Sequence, residues 1–249
     1  MVYERPPEVW KEQELSEDKR RFVVTYPQVT APTPGQARRI EEALNFSQLE
    51  INLDEEIHQS SWLDEMGFEV DYLQHGLLSA TLWAAGSGAY PSGHRKRMVV
   101  ELASGRRLKA GHVFADLPGL AAKLQAMRES EIREALSEIA ENPEGLDALE
   151  VESIREQLRD AEPFSEETLN DYELSQHGII FHLGYGFPHA IQSQEPGGLF
   201  TLTWQELRAH LQKEGPLARM FCAVKQKQEA AFSISIRRQK NGRFAVLSG

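Results

Sequence analysis

Apolar and polar residues alternate along several short segments, and a period of two residues predicts β-strands. Between or within such segments stand the polar–glycine pairs His75-Gly76, Ser104-Gly105, His177-Gly178 and Asn241-Gly242. Each pair is expected to form a turn between two strands. The predicted strands are residues 20–29, 67–74, 76–84, 95–103, a strand resuming at Leu108, 178–187 and 197–204, followed by a hairpin within 230–249.

Other segments carry apolar residues at the three- and four-residue spacing of a helix face. The first begins at Gly35, and its spacing predicts that the helix continues or restarts as far as Leu63. In the third segment, Leu149, Ile154 and Leu158 are expected to face inward. The predicted helices are residues 35–66, 114–145, 146–162 and, after a Thr203 cap, 204–212.

The order of these elements is strand, helix, strands, helices, strands, helix and hairpin, so strands cluster and do not alternate singly with helices. This order predicts an α+β fold, in which an antiparallel or mixed sheet packs against helices, with a C-terminal β-hairpin. Three regions are expected: an N-terminal arm (1–19), an α+β binding domain (20–212) and a basic hairpin extension (213–249). The binding domain is expected to have two halves, residues 20–66 and 67–212.

Charge is distributed unevenly along the chain, whose formal net charge is −11. Residues 129–171 contain fifteen acidic residues and three arginines, a balance of −12, whereas residues 213–249 have a balance of +6. The acidic segment is interpreted either as solvated helix faces or as a surface that attracts a basic partner. Nucleic acid is not an expected partner, because phosphate binding needs a basic surface on the main body.

Cysteine content and hydropathy limit the function further. Cys222 is the one cysteine, which rules out an intrachain disulfide and a cysteine-based zinc site, and its apolar neighbours indicate a buried thiol. The N-terminal residues contain no apolar stretch typical of a signal peptide. The longest uncharged stretch, residues 75–94, is interrupted by glycine, serine and proline, so no membrane span is expected.

The segment 84–93, with the sequence AAGSGAYPSG, places Gly88 and Gly93 five residues apart beside a basic cluster. A phosphate-binding P-loop has this glycine spacing, but it continues with lysine and opens into a helix that completes the anion site. Here His94 stands at the lysine position, and the alternating residues after it predict a strand. The segment is therefore expected to be a glycine-rich connection between two strands, with Tyr90-Pro91 at its tip.

Three longer segments together resemble a family of extracytoplasmic bacterial domains. The segments are VVTYPQV with the helix after it, YLQHGLLSATLWAAGSGAYPSG with RMVVELASGRRLKAGHVF, and LSQHGIIFHLGYGFPHAIQSQEPGGLFTLTWQEL, and the likeness spans residues 20–212. Members of this family form the outer part of RsiV-type lysozyme-sensing anti-sigma factors and the non-catalytic part of a peptidoglycan deacetylase. The resemblance implies an α+β domain of unknown function that binds a ligand at the cell envelope, outside the cytoplasm.

The chain departs from the family pattern in the glycine-rich connection. The family has Gly-Gly-Ala-His-Pro where this chain has Ser87 to Pro91, with Tyr90 in place of the histidine. A role that needs the histidine is not carried over, although tyrosine can pack and form hydrogen bonds. The missing signal peptide leaves a cytoplasmic location open as the alternative to an extracytoplasmic one.

Residues that carry chemistry form no known catalytic pattern. The sequence contains no H-E-x-x-H, H-x-x-E-H or G-x-S-x-G motif. We therefore assign no catalytic residue and expect no metal or other cofactor. The candidate ligand-binding residues come from the glycine-rich connection and from residues 182–190, and they are Tyr90, Pro91, His94, His182, Tyr185 and His189.

These observations favour a non-catalytic, envelope-associated binding domain that recognises a lysozyme-like protein or a peptidoglycan fragment. The first alternative is a cell-wall-directed hydrolase that uses His94, His182 or His189 as a base or metal ligand. The second alternative is an assembly protein that pairs its acidic helices with basic surfaces, including the basic tail of another copy. The sequence leaves open the ligand, the oligomeric state and the role of residues 213–249.

Overall fold

The structure, a computed structural model, describes residues 23–51, 62–87, 91–141, 145–220 and 233–238. The chain divides into two compact units, Met1–Arg107 with Val224–Gly249, and Leu108–Ala223. The second unit thus interrupts the first in sequence, and residues 233–238 belong to the first unit again. The predicted arm, residues 1–19, lies outside the described residues. The predicted division into an arm, a binding domain and a hairpin extension stays a prediction.

A six-stranded mixed sheet forms the centre of the first unit. Its strands are β1 (Val23–Thr30), β2 (Leu63–Gln74), β3 (Leu77–Ser87), β4 (Pro91–Glu101), β5 (Arg106–Arg107) and β9 (Ser233–Arg238). They follow the order β5-β4-β3-β2-β1-β9. The pair β1–β2 is parallel and the other neighbouring pairs are antiparallel. This mixed sheet, together with the helices, confirms the predicted α+β class.

Helix α1 (Pro34–Ala43) packs against one face of this sheet. The side chain of Thr33 caps the helix by accepting a hydrogen bond from the backbone N–H of Gln36 at 3.2 Å. Pro34 stands in the first turn. An N–H at this position would have no acceptor within the helix, so the lack of one in proline costs no hydrogen bond. The core between helix and sheet contains Ile40, Leu44, Phe46, Leu49, Met66, Phe68, Leu78, Ala80, Leu82, Met98 and Val100.

The turn between β2 and β3 is formed by the two residues expected to form it. His75 has a φ of 56° and Gly76 a φ of 72°. Positive φ at both central positions is the geometry whose twist matches two antiparallel strands. The hydroxyl of Tyr72 lies 2.6 Å from Nδ1 of His75, which fastens the turn to the strand before it. The same pattern of residues correctly predicted the turn at Gly105, between β4 and β5.

The second unit combines a three-stranded antiparallel sheet with helices. Its elements are α2 (Ala110–Val113), α3 (Leu117–Glu141), α4 (Ala148–Asp160), β6 (Tyr172–Leu174), β7 (Gly178–His182), β8 (Leu199–Thr203) and α5 (Trp204–Leu207). The strands follow the order β6-β7-β8. Rings of Phe114, Tyr172 and Phe181 meet with centroid distances of 5.8 to 6.1 Å. The buried hydroxyl of Tyr172 donates to the carbonyl of Leu108 at 2.8 Å, so the polar atom of this aromatic cluster has a hydrogen-bond partner.

Three predicted strand and helix limits are wrong. Leu63 begins β2 and does not continue a helix. Strand β5 ends at Arg107, so Leu108 does not resume a strand but lies buried before α2. Strand β7 ends at His182 instead of residue 187, because Gly186 has a φ of 69° and Pro188 follows, and neither suits a ladder.

Two predictions about helices are also wrong. Leu149 is 81% exposed, because it lies in the first turn of α4, whose inward face is formed by Ile154 and Leu158. Helix α5 has a single turn, Trp204–Leu207, and not the length expected for 204–212. Its predicted cap is confirmed, since the hydroxyl of Thr203 accepts a hydrogen bond from the N–H of Glu206.

The C-terminal region contributes one described strand. Strand β9 pairs antiparallel with β1, from Thr25 opposite Arg238 to Thr30 opposite Ser233. The second arm of the predicted hairpin, after Asn241-Gly242, lies outside the described residues, as does Cys222. Within the described part of the chain, no helix is long and apolar enough to cross a membrane.

Helix α4 depends on a capping box at its N-terminus. The Asp147 carboxylate accepts hydrogen bonds from the N–H groups of Leu149 and Glu150, and Glu150 accepts one from the N–H of Asp147. We expect Asp147→Ala to lower the free energy of unfolding by about 1 kcal/mol, since it leaves two helix-end donors without a protein acceptor. Urea denaturation followed by circular dichroism measures this loss. Glu156→Ala, exposed on the same helix, is the control, and an equal effect of both changes would contradict the capping role.

Candidate functional site

The predicted glycine-rich connection joins β3 to β4. Strand β3 ends at Ser87, β4 begins at Pro91, and these two residues face each other across the antiparallel ladder. A strand therefore follows the connection where a P-loop would need a helix, and the predicted strand-to-strand connection is confirmed. Gly88 to Tyr90 lie outside the described residues, and the side chain of Pro91 also lies outside them.

Close approach of two backbones explains the glycine at the end of β3. A Cβ atom on Gly86 would lie 1.8 Å from the carbonyl oxygen of Trp62. The N–H of Ser87 donates to that same carbonyl at 2.8 Å, and the Ser87 hydroxyl donates to the Asp64 carboxylate at 2.7 Å. This end of the hairpin is thereby fastened to the residues that start β2.

His94 lies on β4 close to this connection. Its side chain is exposed and meets Trp62 edge to face, with ring centroids 5.3 Å apart and an angle of 89° between the planes. The imidazole is thus held in place by a neighbouring ring while it stays open to solvent. Its role in ligand binding remains a prediction.

His182 is placed at the end of β7, beside β6. Its Nε2 lies 3.4 Å from a carboxylate oxygen of Glu173, and the two side chains are only 11% and 20% exposed. The Nε2 atom is buried and has no hydrogen-bond partner among the described residues. His182 therefore faces a carboxylate on the adjacent strand and not open solvent.

Residues 183–198, here called the connecting loop, run from β7 to β8. The N–H of Leu183 donates to the carbonyl of Gly198 at 3.0 Å, which brings the two ends of the loop together. Gly198 has a φ of 61°, and a Cβ at this position would lie 2.6 Å from the carbonyl oxygen of Leu183. Compact surface loops with joined ends of this kind are frequently functional.

A carboxylate braces the connecting loop from within. One oxygen of Glu195 accepts hydrogen bonds from the N–H groups of Tyr185 and Gly186, at 2.7 and 2.9 Å. Phe187 and Ile191 of the loop are buried in an apolar cluster that contains Ile154 of α4. The carboxylate of Glu195 therefore holds the loop together by hydrogen bonds, and the apolar residues of the loop pack against α4.

Tyr185 ties the connecting loop to α3. Its hydroxyl donates to the Glu131 carboxylate at 2.6 Å, and the other oxygen of Glu131 accepts from the N–H of Gly198 at 3.3 Å. The guanidinium carbon of Arg128 lies 4.9 Å from the centroid of the Tyr185 ring, within cation–π range. Tyr185 is buried, so this candidate ligand-binding residue is enclosed by protein groups in the structure.

Four effects raise the pKa of the Tyr185 phenol well above its usual value. Burial is the largest, followed by the hydrogen bond to Glu131, the negative charge of that carboxylate and the charge of Glu195, while the charge of Arg128 opposes them. The net effect favours the neutral hydroxyl over the phenolate. The folded chain therefore keeps a proton that the unfolded chain loses near pH 10.

We expect the Tyr185 phenol to contribute a late component to an absorbance titration of phenolate at alkaline pH. Tyr185→Phe is expected to remove this late component. Because the folded pKa is raised, the contribution of Tyr185 to stability is complete below about pH 10 and declines as the pH rises above it. Stability measured between about pH 9 and 11 should therefore fall more steeply for the parent chain than for Tyr185→Phe. Equal slopes would contradict the protected phenol.

His189 occupies an open position on the connecting loop. It starts a short 3₁₀ helix, His189–Gln194, and its side chain is exposed, with Nδ1 lying 3.2 Å from the amide oxygen of Gln192. His189 and Tyr185 thus share one loop but face different surroundings. The role of His189 in ligand binding remains a prediction.

The predicted site residues fall into two groups. His94 belongs to the first unit, while His182, Tyr185 and His189 belong to the second and follow one another along β7 and the connecting loop. The residues of α3 that meet Tyr185 are not among those predicted from the sequence. One signal was present, because Arg128 lies four residues from both Leu124 and Ile132 and thus interrupts an apolar helix face.

Histidine and carboxylate side chains come together only in pairs among the described residues. Besides His182 and Glu173, His210 lies 3.6 Å from Asp116. No group of three or more histidine, cysteine, aspartate or glutamate side chains in that part of the chain is placed to hold a metal ion.

No family model matches the sequence, and no curated protein matches it. The chain is similar in structure to a DUF3298 family member from Bacteroides fragilis, with 13% identity, a TM-score of 0.40, and coverage of 76% of this chain and 73% of that one. It is also similar to a DUF3298 family protein from Pseudomonas aeruginosa, with 13% identity, a TM-score of 0.40, and coverage of 77% and 93%. The structural neighbours of this chain thus include proteins from a family of domains of unknown function.

Proposed function

We propose that this chain is a non-catalytic binding domain of the bacterial cell envelope and that its partner is a basic protein such as lysozyme. The observation that carries the proposal is a row of three carboxylates on α3. Glu134, Glu138 and Glu141 are spaced by four and three residues, so they lie on one face of the helix, and all three are exposed. Below, this row is called the acidic stripe.

Among the described residues, none of the three carboxylates of the acidic stripe forms a salt bridge, whereas Glu152 on α4 lies 3.6 Å from Arg155. Like charges at this spacing on a helix repel each other and destabilise it by a few tenths of a kcal/mol. A partner that brings lysines or arginines to the stripe relieves this repulsion, and long-range attraction speeds its approach.

The envelope location rests on the sequence resemblance of residues 20–212 to extracytoplasmic domains, some of them in lysozyme-sensing anti-sigma factors. The same resemblance includes a part of a peptidoglycan deacetylase, which makes a peptidoglycan fragment the second ligand class. No described contact favours the glycan over the protein, while the acidic stripe favours a basic protein. The binding domain is therefore proposed with lysozyme as its first test ligand.

Surface plasmon resonance of the full chain against lysozyme tests the proposal. A small basic protein of similar net charge serves as the control, and about 0.15 M salt screens attraction beyond about 8 Å. We expect saturable binding to lysozyme that is at least tenfold tighter than binding to the control. Equal binding to both proteins would reduce the interaction to general charge attraction, and no binding to either would contradict the proposal.

A further inference from the structure

Arg128 is the least expected buried residue of the second unit. It lies on α3 and is only 3% exposed, although arginine is almost never fully buried without a partner. Leu124 precedes it by four residues and Ile132 follows it by four, so it stands in the apolar row of the helix. A buried guanidinium needs acceptors for its N–H groups, because the charge has lost the water that would otherwise solvate it.

One edge of this guanidinium has no acceptor. Both Nε and Nη2 are buried, and neither has a hydrogen-bond partner among the described residues. These two nitrogens form one side of the guanidinium, where their N–H bonds point in the same direction. This is the fork that binds the two oxygens of a carboxylate or a phosphate side by side.

The acidic groups nearby are engaged elsewhere. Glu131 accepts hydrogen bonds from the Tyr185 hydroxyl and the Gly198 N–H. One oxygen of Glu195 accepts from the N–H groups of Tyr185 and Gly186, and its second oxygen, Oε2, takes part in neither bond. The carboxylates therefore hold the connecting loop and leave the Arg128 fork open.

We propose that Arg128 is the carboxylate-binding group of a small-molecule site between α3 and the connecting loop, and that its ligand is a zwitterionic α-amino acid. The ligand carboxylate accepts hydrogen bonds from Nε and Nη2 of Arg128. The ligand ammonium lies toward the carboxylates, where Glu195 offers its second oxygen.

Charge selects the zwitterion over a simple anion. Arg128, Glu131 and Glu195 together carry a net charge of −1 when ionised. A ligand with only a carboxylate would add a second negative charge to this partly buried group, whereas a zwitterion adds none. Phosphate, with more negative charge than a carboxylate, is the least suited oxyanion.

Entry to the site requires the connecting loop to move. The two nitrogens are buried, and the ring of Tyr185 lies over the guanidinium. Glycines stand near both ends of the loop at Gly184, Gly186, Gly197 and Gly198. The loop can move as one unit when the bonds of Tyr185 and Gly198 to Glu131 open and Phe187 and Ile191 leave their apolar cluster, since Glu195 holds its two arms together.

The test is a titration of the full chain with D-alanine and L-alanine, with acetate and methylamine as single-group controls. Nuclear magnetic resonance of the arginine Nε–H groups reports binding directly. We expect a saturable downfield shift of the Arg128 Nε–H with at least one alanine enantiomer, and binding by acetate or methylamine at least tenfold weaker. Absence of a shift up to about 10 mM alanine overturns the proposal, because that concentration reaches even weak sites. Binding of acetate as tight as that of alanine overturns the zwitterionic ligand class.

Variants separate a binding role from a structural one. Arg128→Met is expected to abolish alanine binding while its urea midpoint stays equal to or above that of the parent chain, because methionine fills the apolar position without unpaired donors. Arg128→Lys is expected to weaken binding at least tenfold, because an ammonium lacks the fork. Arg133→Met, an exposed change on the same helix, should bind as the parent does. A lowered midpoint for Arg128→Met, or alanine binding that survives in it, would overturn the assignment.

Discussion

Replacing Gly178 by alanine is expected to destabilise the second unit by about 3 kcal/mol or more, at the upper end of what overpacking costs. A Cβ atom at Gly178 would lie 1.9 Å from the carbonyl oxygen of Leu202 and 2.9 Å from the Cα of Thr203. Both atoms belong to the backbone of β8, which is paired with β7 at this position. The clash therefore cannot be relieved by a side-chain rotation and must displace one strand from the other.

Circular dichroism in urea measures this loss, with Gly111→Ala in the same unit as the matched control. Outside its own helix and its chain neighbours, no described atom lies within 4 Å of a Cβ added at Gly111, and its backbone does not require glycine. Gly111→Ala is therefore expected to leave the urea midpoint unchanged or to raise it slightly. A midpoint for Gly178→Ala within error of Gly111→Ala would contradict the close approach of the two strands.

The second large effect is expected from Glu131→Ala, at about 2–4 kcal/mol of unfolding free energy, because the change removes the one acceptor that two donors share. The change leaves the buried Tyr185 hydroxyl and the Gly198 N–H without their acceptor, and it removes a negative charge from the surroundings of Arg128. Each unsatisfied donor costs about 1–3 kcal/mol when it stays buried. The variant thus loses both hydrogen bonds that join the connecting loop to Glu131 of α3.

Comparison with two further variants makes this prediction specific. Tyr185→Phe removes a donor together with its bond and leaves Glu131 bonded to Gly198, so its cost is expected to be about 1–2 kcal/mol. Glu138→Ala, exposed on the same helix, is expected to stay within about 0.5 kcal/mol of the parent. Urea denaturation of all three variants gives the order, and a loss for Glu131→Ala no larger than for Glu138→Ala would contradict the role of Glu131.

The features that local patterns control were predictable from the sequence. The turns at His75-Gly76 and Ser104-Gly105 follow from residues that tolerate positive φ. The clustering of strands gave the α+β class, and the strand after the glycine-rich connection ruled out a P-loop. These features depend on neighbours along the chain, so a period of two residues or a glycine pair is enough to indicate them.

The arrangement around Tyr185 was not predictable in the same way. Tyr185 and Glu131 are separated by 54 residues, and their pairing depends on how the connecting loop closes over α3. Helical spacing shows which face of α3 is apolar, but not which partner covers it. Leu149 illustrates the same limit, since apolar character predicted burial while its place in the first turn of α4 leaves it 81% exposed.

The central claim is that the acidic stripe binds a basic protein, and the affinity of a stripe variant for lysozyme tests it most directly. The variant is Glu134→Gln/Glu138→Gln/Glu141→Gln. Its control removes the same number of exposed carboxylates from the first unit, as Glu42→Gln/Glu65→Gln/Glu69→Gln.

Both variants change the net charge equally. They differ in the position of the charges removed and in the Arg38–Glu42 ion pair, which only the control breaks. Surface plasmon resonance at about 0.15 M salt is expected to show at least tenfold weaker lysozyme binding for the stripe variant and less than a threefold change for the control. Equal losses in the two variants, or a stripe variant that binds as the parent does, would contradict the account.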